Sequence, residues 1–166
     1  MIDATLCIPI KGDPVEEVLL GYKKKGFGKG KFGGFGGKLE AGETIVLATI
    51  RELEEESGLI VSENHLSNRG VLFFSFPAQP DWDQVVHIFL IKTWKGNPIE
   101  SMEMTPFWFR INEIPYATMW DDSSYWLPLI VQGKRIQAKF SFKHDCQTVD
   151  NVEIILLDNS LSVGLE

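Results

Sequence analysis

Residues 37–59 read GKLEAGETIVLATIRELEEESGL, from Gly37 to Leu59. Thr44 or Glu43 can start a helix and Gly58 suits the left-handed residue that ends one, so the spacing predicts a helix over Glu43 to Ser57. At about 100° per residue, Val46, Leu47, Ile50 and Leu53 share one arc and Glu52, Glu55 and Glu56 the opposite one, with Glu54 near the apolar arc. The i, i+3, i+4 spacing of Glu52, Glu55 and Glu56 brings their carboxylates to one patch. Carboxylates so placed repel, and a bound divalent cation relieves them. Ligands that are all oxygen select magnesium or manganese over zinc. Arg51, four residues before Glu55, can grip a carboxylate with a forked pair.

The segment upstream is glycine-rich and positive. Gly26 to Gly37 holds seven glycines in twelve residues, which excludes a helix interior. Gly36 and Gly37 let the backbone turn tightly and approach a ligand with no Cβ between. Six of the 16 basic residues, Lys23, Lys24, Lys25, Lys29, Lys31 and Lys38, lie in the sixteen residues before the acidic helix. A positive loop beside a metal site is what a polyphosphate requires, because phosphoryl chemistry depends on neutralised charge and an aligned water.

The remainder reads as one unit. At 166 residues a single domain with a sizeable core is expected, and 44% hydrophobic with 23% charged residues excludes disorder, collagen and coiled coil. A net charge of -7 argues against a non-specific nucleic-acid coat or a polybasic membrane anchor. Ala4 to Ile10 and Val15 to Tyr22 read as a hairpin. Gly70 to Phe76, Gln84 to Thr93 and Met104 to Ile111 read as strands, the second central because Val85 to Ile91 is nearly all apolar. Ser123 to Val131 reads as a second helix with Asp121, Asp122 or Ser123 as N-cap and Pro128 inside it, and Ile136 to Phe142 and Val152 to Leu157 as late strands. Strands flanking two helices imply a mixed α/β sandwich.

Cys7 and Cys146 are too few and too far apart for a disulfide framework or a zinc site. His87 reads as a core residue, and His65 and His144 lie in polar stretches, so covalent catalysis by a nucleophile–histidine pair is not expected. The N-terminus suits neither a signal peptide nor a membrane span. A cytoplasmic monomer with no membrane or polymeric nucleic-acid partner is expected. Phe27, Phe32, Phe35, Phe73, Phe74, Phe76, Trp120, Tyr125 and Trp126 lie in or beside loops and strand ends, where a flat base can stack. Asp121 and Asp122 follow Trp120, so a carboxylate can accept from a purine edge while the indole stacks; the alternative is a helix cap.

A glutamate on a helix is ordinarily just solvated. The nine fixed positions, however, match by chance on the order of once in 10⁹ windows. The pattern of Gly, five residues, Glu, seven residues, Arg-Glu-apolar, any residue, Glu-Glu, any residue, Gly-apolar is complete, and it resembles the signature of the Nudix hydrolases. That resemblance implies an α/β (α+β) fold, a Nudix-type αβα sandwich with a mixed β-sheet. It also implies magnesium-dependent (Mg2+, with Mn2+ an option) hydrolysis of a nucleoside diphosphate linked to another group. Carried over residue by residue, the Gly37 carbonyl with Glu52, Glu55 and Glu56 holds the metal, and one of these glutamates activates water, with Arg51 beside them.

Lys23 to Gly37 (KKKGFGKGKFGGFGG), Thr105 to Ile114 (TPFWFRINEI) and Met119 to Leu127 (MWDDSSYWL) are similar to one branch, the MutT-homologue oxidised-purine nucleoside triphosphatases (8-oxo-dGTPases), over about Thr5 to Phe142. The likeness implies hydrolysis of 8-oxo-dGTP and related triphosphates to monophosphate and pyrophosphate, a sanitation of the nucleotide pool that serves DNA repair. Its pocket positions match Thr5, Lys23, Phe27, Phe74, Phe76, Met104, Trp120, Asp122 and Trp126, and Glu103 matches an additional acid near the metal. Two pocket positions depart. Gly33 stands where that branch has a base-reading asparagine. Asp121-Asp122-Ser123 replaces its proline and two aspartates, so Ser123 stands for the second carboxylate and cannot supply a charged acceptor. These changes bear on base selectivity rather than on reaction class. An alkylated purine triphosphate, a dinucleotide, a nucleotide sugar, or a binding module without catalysis are the alternatives. Residues from about 145 to 166 form a C-terminal extension of the single domain, with no role readable from the sequence.

Overall fold

A computed structural model describes residues 1–157. Residues 158–166, the end of the expected C-terminal extension, lie outside the described residues. Nine strands, β1 (Ile2–Lys11), β2 (Glu17–Lys23), β3 (Phe32–Gly33), β4 (Phe35–Lys38), β5 (Ser67–Ser75), β6 (Gln84–Ile91), β7 (Met104–Arg110), β8 (Arg135–Phe142) and β9 (Val149–Leu157), accompany two α-helices, α1 (Ile45–Ser57) and α2 (Ser123–Val131). The main path runs β3-β2-β1-β6-β5-β8-β9, with β4 paired to β1 and β7 to β2. The sheet is mixed, since β1 pairs β6 and β5 pairs β8 in parallel while the other ladders are antiparallel.

Strand β6 is central, flanked by β1 and β5. Its residues alternate between two cores: Val86, Ile88 and Leu90 face the side that carries α2, and Phe89 and Ile91 the side that carries α1. A strand buried on both faces needs apolar residues at every position, which explains the near-continuous run. The helices therefore cover opposite faces, and the αβα layering expected from the sequence is present. No helix among the described residues is long and apolar enough to cross a membrane.

Strands β1 and β2 share only two partner pairs, Ile10 with Val18 and Lys11 with Glu17, where the sequence predicts a full hairpin. The chain forks there. Strand β4 lies against β1 from Ala4 to Cys7, while β2 leaves to pair with β7 along its whole length. The glycine-rich segment is thus not a plain loop, because it contributes the short strands β3 and β4. Gly36 makes this possible. A Cβ there would stand 1.8 Å from the Thr5 carbonyl oxygen, so the β1–β4 ladder closes only over a bare Cα.

Thr44 caps α1 by accepting from the Leu47 N–H at 3.1 Å, and Gly58, at φ +79°, ends it by donating to the Glu54 carbonyl. The buried face of α1 is Ala48, Thr49, Leu53, Glu56 and Ser57. That differs from the apolar arc of the periodicity: Leu47 is exposed, and so is Glu54, while Glu56 is 2% exposed. The helix is turned toward β4, whose glycines leave room for carboxylates instead of aliphatic side chains. Strand β9 extends the sheet beyond β8. Gly36→Ala is expected to destabilise the fold by about 3 kcal/mol or more, measured as a fall in the urea midpoint at unchanged slope; a midpoint equal to wild type would contradict this account of the fork.

Candidate active site

The fork leaves a cavity of about 500 Å³ between β1, the glycine-rich segment, the ends of β5 and β6, and the start of α2. Thr5, Lys23, Phe27, Gly33, Phe74, Phe76, Met104, Trp120, Asp122, Ser123 and Trp126 all border it, as does Gly37. Eleven positions read as substrate-binding thus lie around one space. Thr5 differs in orientation. Its hydroxyl is turned onto α1, where it hydrogen-bonds that of Thr49, because successive residues of β1 face opposite sides of the sheet.

One end of the cavity is aromatic. Phe27 stacks on Trp120 with ring centroids 5.1 Å apart, Trp82 meets Phe27 edge-on at 5.2 Å, and Phe76 stacks on Phe142 at 4.6 Å. Gly28 lets the loop approach the indole, since a Cβ there would stand 3.2 Å from Trp120 Nε1. Lys31 Nζ lies 5.1 Å over the Trp120 ring. Beside these rings sits Asp122, 4% exposed, whose Oδ2 accepts from Trp126 Nε1 at 2.6 Å. Asp122 stands at the N-cap of α2, as one of the three candidates read from the sequence, but its side chain makes no capping hydrogen bond. Asp121 instead accepts from the Val149 N–H at 2.8 Å, tying the start of β9 to the cavity wall. Asp81 and Trp82, in the turn Pro80–Trp82, and Phe142 also line the cavity and were not singled out from the sequence. An aromatic in a proline-bounded turn between two strands was the available signal.

Behind the glycines of β4 the surroundings turn ionic, although Glu52, Glu55, Glu56 and Glu103 are not among the residues that line the cavity. Glu56 Oε1 accepts from the Gly36 N–H at 2.8 Å, whereas its Oε2 is buried with no hydrogen-bond partner. Lys23 Nζ lies 3.6 Å from that oxygen and 3.4 Å from Glu103 Oε2. Burial pushes the Glu56 carboxyl up to about 8, against the opposing pull of Lys23 and the Gly36 N–H. Glu52 is raised as well, by burial. It packs against the bare Cα of Gly37, where a Cβ would stand 2.7 Å from Glu52 Oε1. Arg51 donates to both Glu43 oxygens at 2.6 and 2.8 Å, to Glu52 at 2.9 Å and to Glu55 at 3.3 Å. The two Arg51 bonds to Glu43, with the Glu40 N–H, hold the Glu43 carboxyl down at about 2.

The three glutamates do not converge as their spacing suggests. Glu52 and Glu56 turn inward under β4, but the Glu55 side chain is 57% exposed. Among the described residues no three His, Cys, Asp or Glu side chains close on one point. The donor set nevertheless fits a hard divalent cation. A buried carboxylate oxygen without a partner is costly unless something positive meets it, and magnesium is ordinarily held by one or two carboxylates, with water and substrate phosphate supplying the rest. Of the lysine cluster, Lys23, Lys31 and Lys38 border the cavity, Lys24 is paired with Glu100 at 2.5 Å, and Lys25 and Lys29 are exposed away from it. His87 Nε2 lies 3.5 Å from Asp3 in β1 and takes no part in the site.

The NUDIX domain family model matches residues 2–130. The oxidized purine nucleoside triphosphate hydrolase of Danio rerio is 49% identical over 129 residues, covering 77% of this chain and 81% of that protein. The protein of the same name from Mus musculus is 47% identical over 128 residues, covering 77% and 80%. The crystal structure of a MutT protein from Bacillus halodurans superposes with a TM-score of 0.78 at 22% identity, covering 93% of this chain and 97% of that one.

Burial also pushes the Asp122 carboxyl up, to about 6. A carboxyl whose folded pKa lies above its unfolded value near 3.8 makes the native state bind the proton more tightly, so stability falls as pH rises through roughly 4 to 6. Asp122→Asn keeps the acceptor for Trp126 and removes the charge. It is expected to raise stability at pH 7.5 by on the order of 1–3 kcal/mol and to leave it nearly unchanged at pH 4. Urea unfolding at the two pH values checks this, and a variant less stable than wild type at pH 7.5 would refute it.

Proposed function

The chain belongs to the Nudix family, and from that premise we propose that it is a divalent-cation-dependent hydrolase of oxidised purine nucleoside triphosphates, such as 8-oxo-dGTP, yielding monophosphate and pyrophosphate. The observation that carries this reading is the two-ended cavity, with aromatic rings and a buried carboxylate at one end and glycines and lysines at the other, where the Gly36 N–H bonds the Glu56 carboxylate lying behind β4. The curated relatives named oxidized purine nucleoside triphosphate hydrolase support the purine and the triphosphate. Removal of such nucleotides before a polymerase uses them is the cellular role proposed, carried out by a cytoplasmic monomer.

Each end has a physical task. A purine enters among Phe27, Trp82 and Trp120 and presents an edge to Asp122 and Ser123; flat rings lose little by being immobilised, and the buried carboxyl rejects bases that offer it no donor. The triphosphate runs toward Gly36 and Gly37, where Lys23 and Lys38 offset its charge. Glu52 and Glu56, with Glu55, Glu103 and the Gly37 carbonyl, are the groups that would hold magnesium or manganese. A bound cation supplies charge neutralisation on the phosphates and a more acidic water.

Arg51 fixes the carboxylates of Glu43, Glu52 and Glu55, so reacting groups are positioned before substrate arrives. Water attacks one of the two phosphorus atoms joined by the α–β bridging oxygen, the bond from that phosphorus to the bridging oxygen breaks, monophosphate and pyrophosphate separate, and the proton of the water passes to one of the glutamates. The deciding experiment follows pyrophosphate release from a panel of triphosphates, dinucleotides and nucleotide sugars with and without magnesium. Turnover of oxidised purine triphosphates only with the metal is expected, with kcat falling by about 10²-fold or more in Glu56→Gln and in Glu55→Gln while the fold persists. Near-normal rates in both variants, or no triphosphate hydrolysed, would overturn the proposal.

A further inference from the structure

Asp121 does not border the cavity, yet its carboxylate ties together two pieces of the aromatic wall. Its Oδ2 accepts from the Val149 N–H at 2.8 Å. On one side of that bond, Asp121 follows Trp120, whose indole lines the base end. On the other, Val149 lies across the β8–β9 ladder from Phe142, whose ring lines it too. The Trp120 and Phe142 rings meet edge to face with centroids 6.0 Å apart, and Phe142 in turn stacks on Phe76.

The hairpin is shaped to present that N–H. Ser141 pairs with Asn151 but Phe142 with Val149, so Asp150 is an extra residue on β9. A bulge of this kind bends its strand and re-aims what lies beside it. The turn is fixed by Asp145, which accepts from the Gln147 and Thr148 N–H groups at 2.9 Å and from the Thr148 hydroxyl at 2.6 Å. Among the described residues β9 is nonetheless the outermost strand of the sheet's main path, and Phe142 is the last residue of β8. Strand ends at a sheet edge open at small free-energy cost. Asp121 pins the hairpin at the residue opposite Phe142, where such an opening would withdraw support from the wall. The branch that this chain resembles has proline at this place, and proline offers no side-chain acceptor.

We propose that Asp121 is a positioning residue for the base end: through the Val149 N–H it holds the Phe142 side of the wall against Trp120. Affinity for the base then depends on the C-terminal hairpin, whereas the chemistry at the phosphates does not. The inference rests on the purine reading above and deepens it.

Calorimetric titration with 8-oxo-dGMP, together with the steady-state rate on 8-oxo-dGTP in magnesium, tests this on wild type, Asp121→Ala and Asp121→Asn. Both variants remove the charge beside Asp122, and only asparagine keeps an acceptor for Val149, so the difference between them reports the hydrogen bond. Asp121→Ala is expected to bind 8-oxo-dGMP about fivefold or more weakly than Asp121→Asn. The kcat values of the two variants are expected to agree within about twofold, with thermal midpoints showing that both fold. Equal Kd values in the two variants, or a kcat that falls in step with affinity, would overturn the positioning role while leaving the purine reading intact. No binding of 8-oxo-dGMP to wild type would sink both.

Discussion

The site is organised around one half-satisfied carboxylate. Glu56 lies under β4 with one oxygen bonded to the Gly36 N–H and the other buried without a hydrogen bond. An arrangement of this kind lowers stability, since the group loses water and gains a single donor. It persists because the surrounding geometry is fixed for other reasons: Gly36 must be bare for β4 to pair with β1, and α1 must lie against that pair to complete the core around Leu53 and Phe35. Lys23 Nζ lies 3.6 Å from the open oxygen, and a divalent cation is the further positive partner proposed for it.

From that constraint the division of labour follows. The fork at β1 separates β4, which carries the ionic end, from the β2–β3–β7 ladder, which carries the loop of Phe27. The aromatic end is closed on the other side by the start of α2, where Asp121 anchors β9 and so leaves Asp122 as the buried carboxyl of the wall. The Asp121-Asp122-Ser123 order thus gives one aspartate to the tail and one to the cavity. The C-terminal strand acquires a structural part here, bracing the segment that forms the aromatic wall of the cavity.

Much of this was legible in the sequence, for identifiable reasons. The helix ends are local, so Thr44 and Gly58 announced them, and the run from Val85 to Ile91 is apolar enough to demand burial on both faces. The residues around the cavity were found because aromatics and charges in loops are rare enough to notice and because the motifs at Lys23–Gly37 and Met119–Leu127 resemble a known branch. What could not be read depends on partners far along the chain. The short pairing of β1 with β2 follows from competition by β4 and β7, which no hairpin pattern reports. The face of α1 that turns inward follows from the glycines of β4, so helical periodicity placed Leu47 inside and Glu56 outside when the reverse holds. Trp82 carries little mark in the sequence, because its turn joins the site only through the β5–β6 connection.

The central claim is that the open oxygen of Glu56 meets a divalent cation. The most direct measurement is a manganese titration followed by electron paramagnetic resonance, on wild type and Glu56→Gln, with a triphosphate analogue blocked at the scissile bridge. The account predicts that Glu56→Gln weakens manganese binding by about tenfold or more while circular dichroism is unchanged. Equal manganese affinity in the two proteins would contradict it.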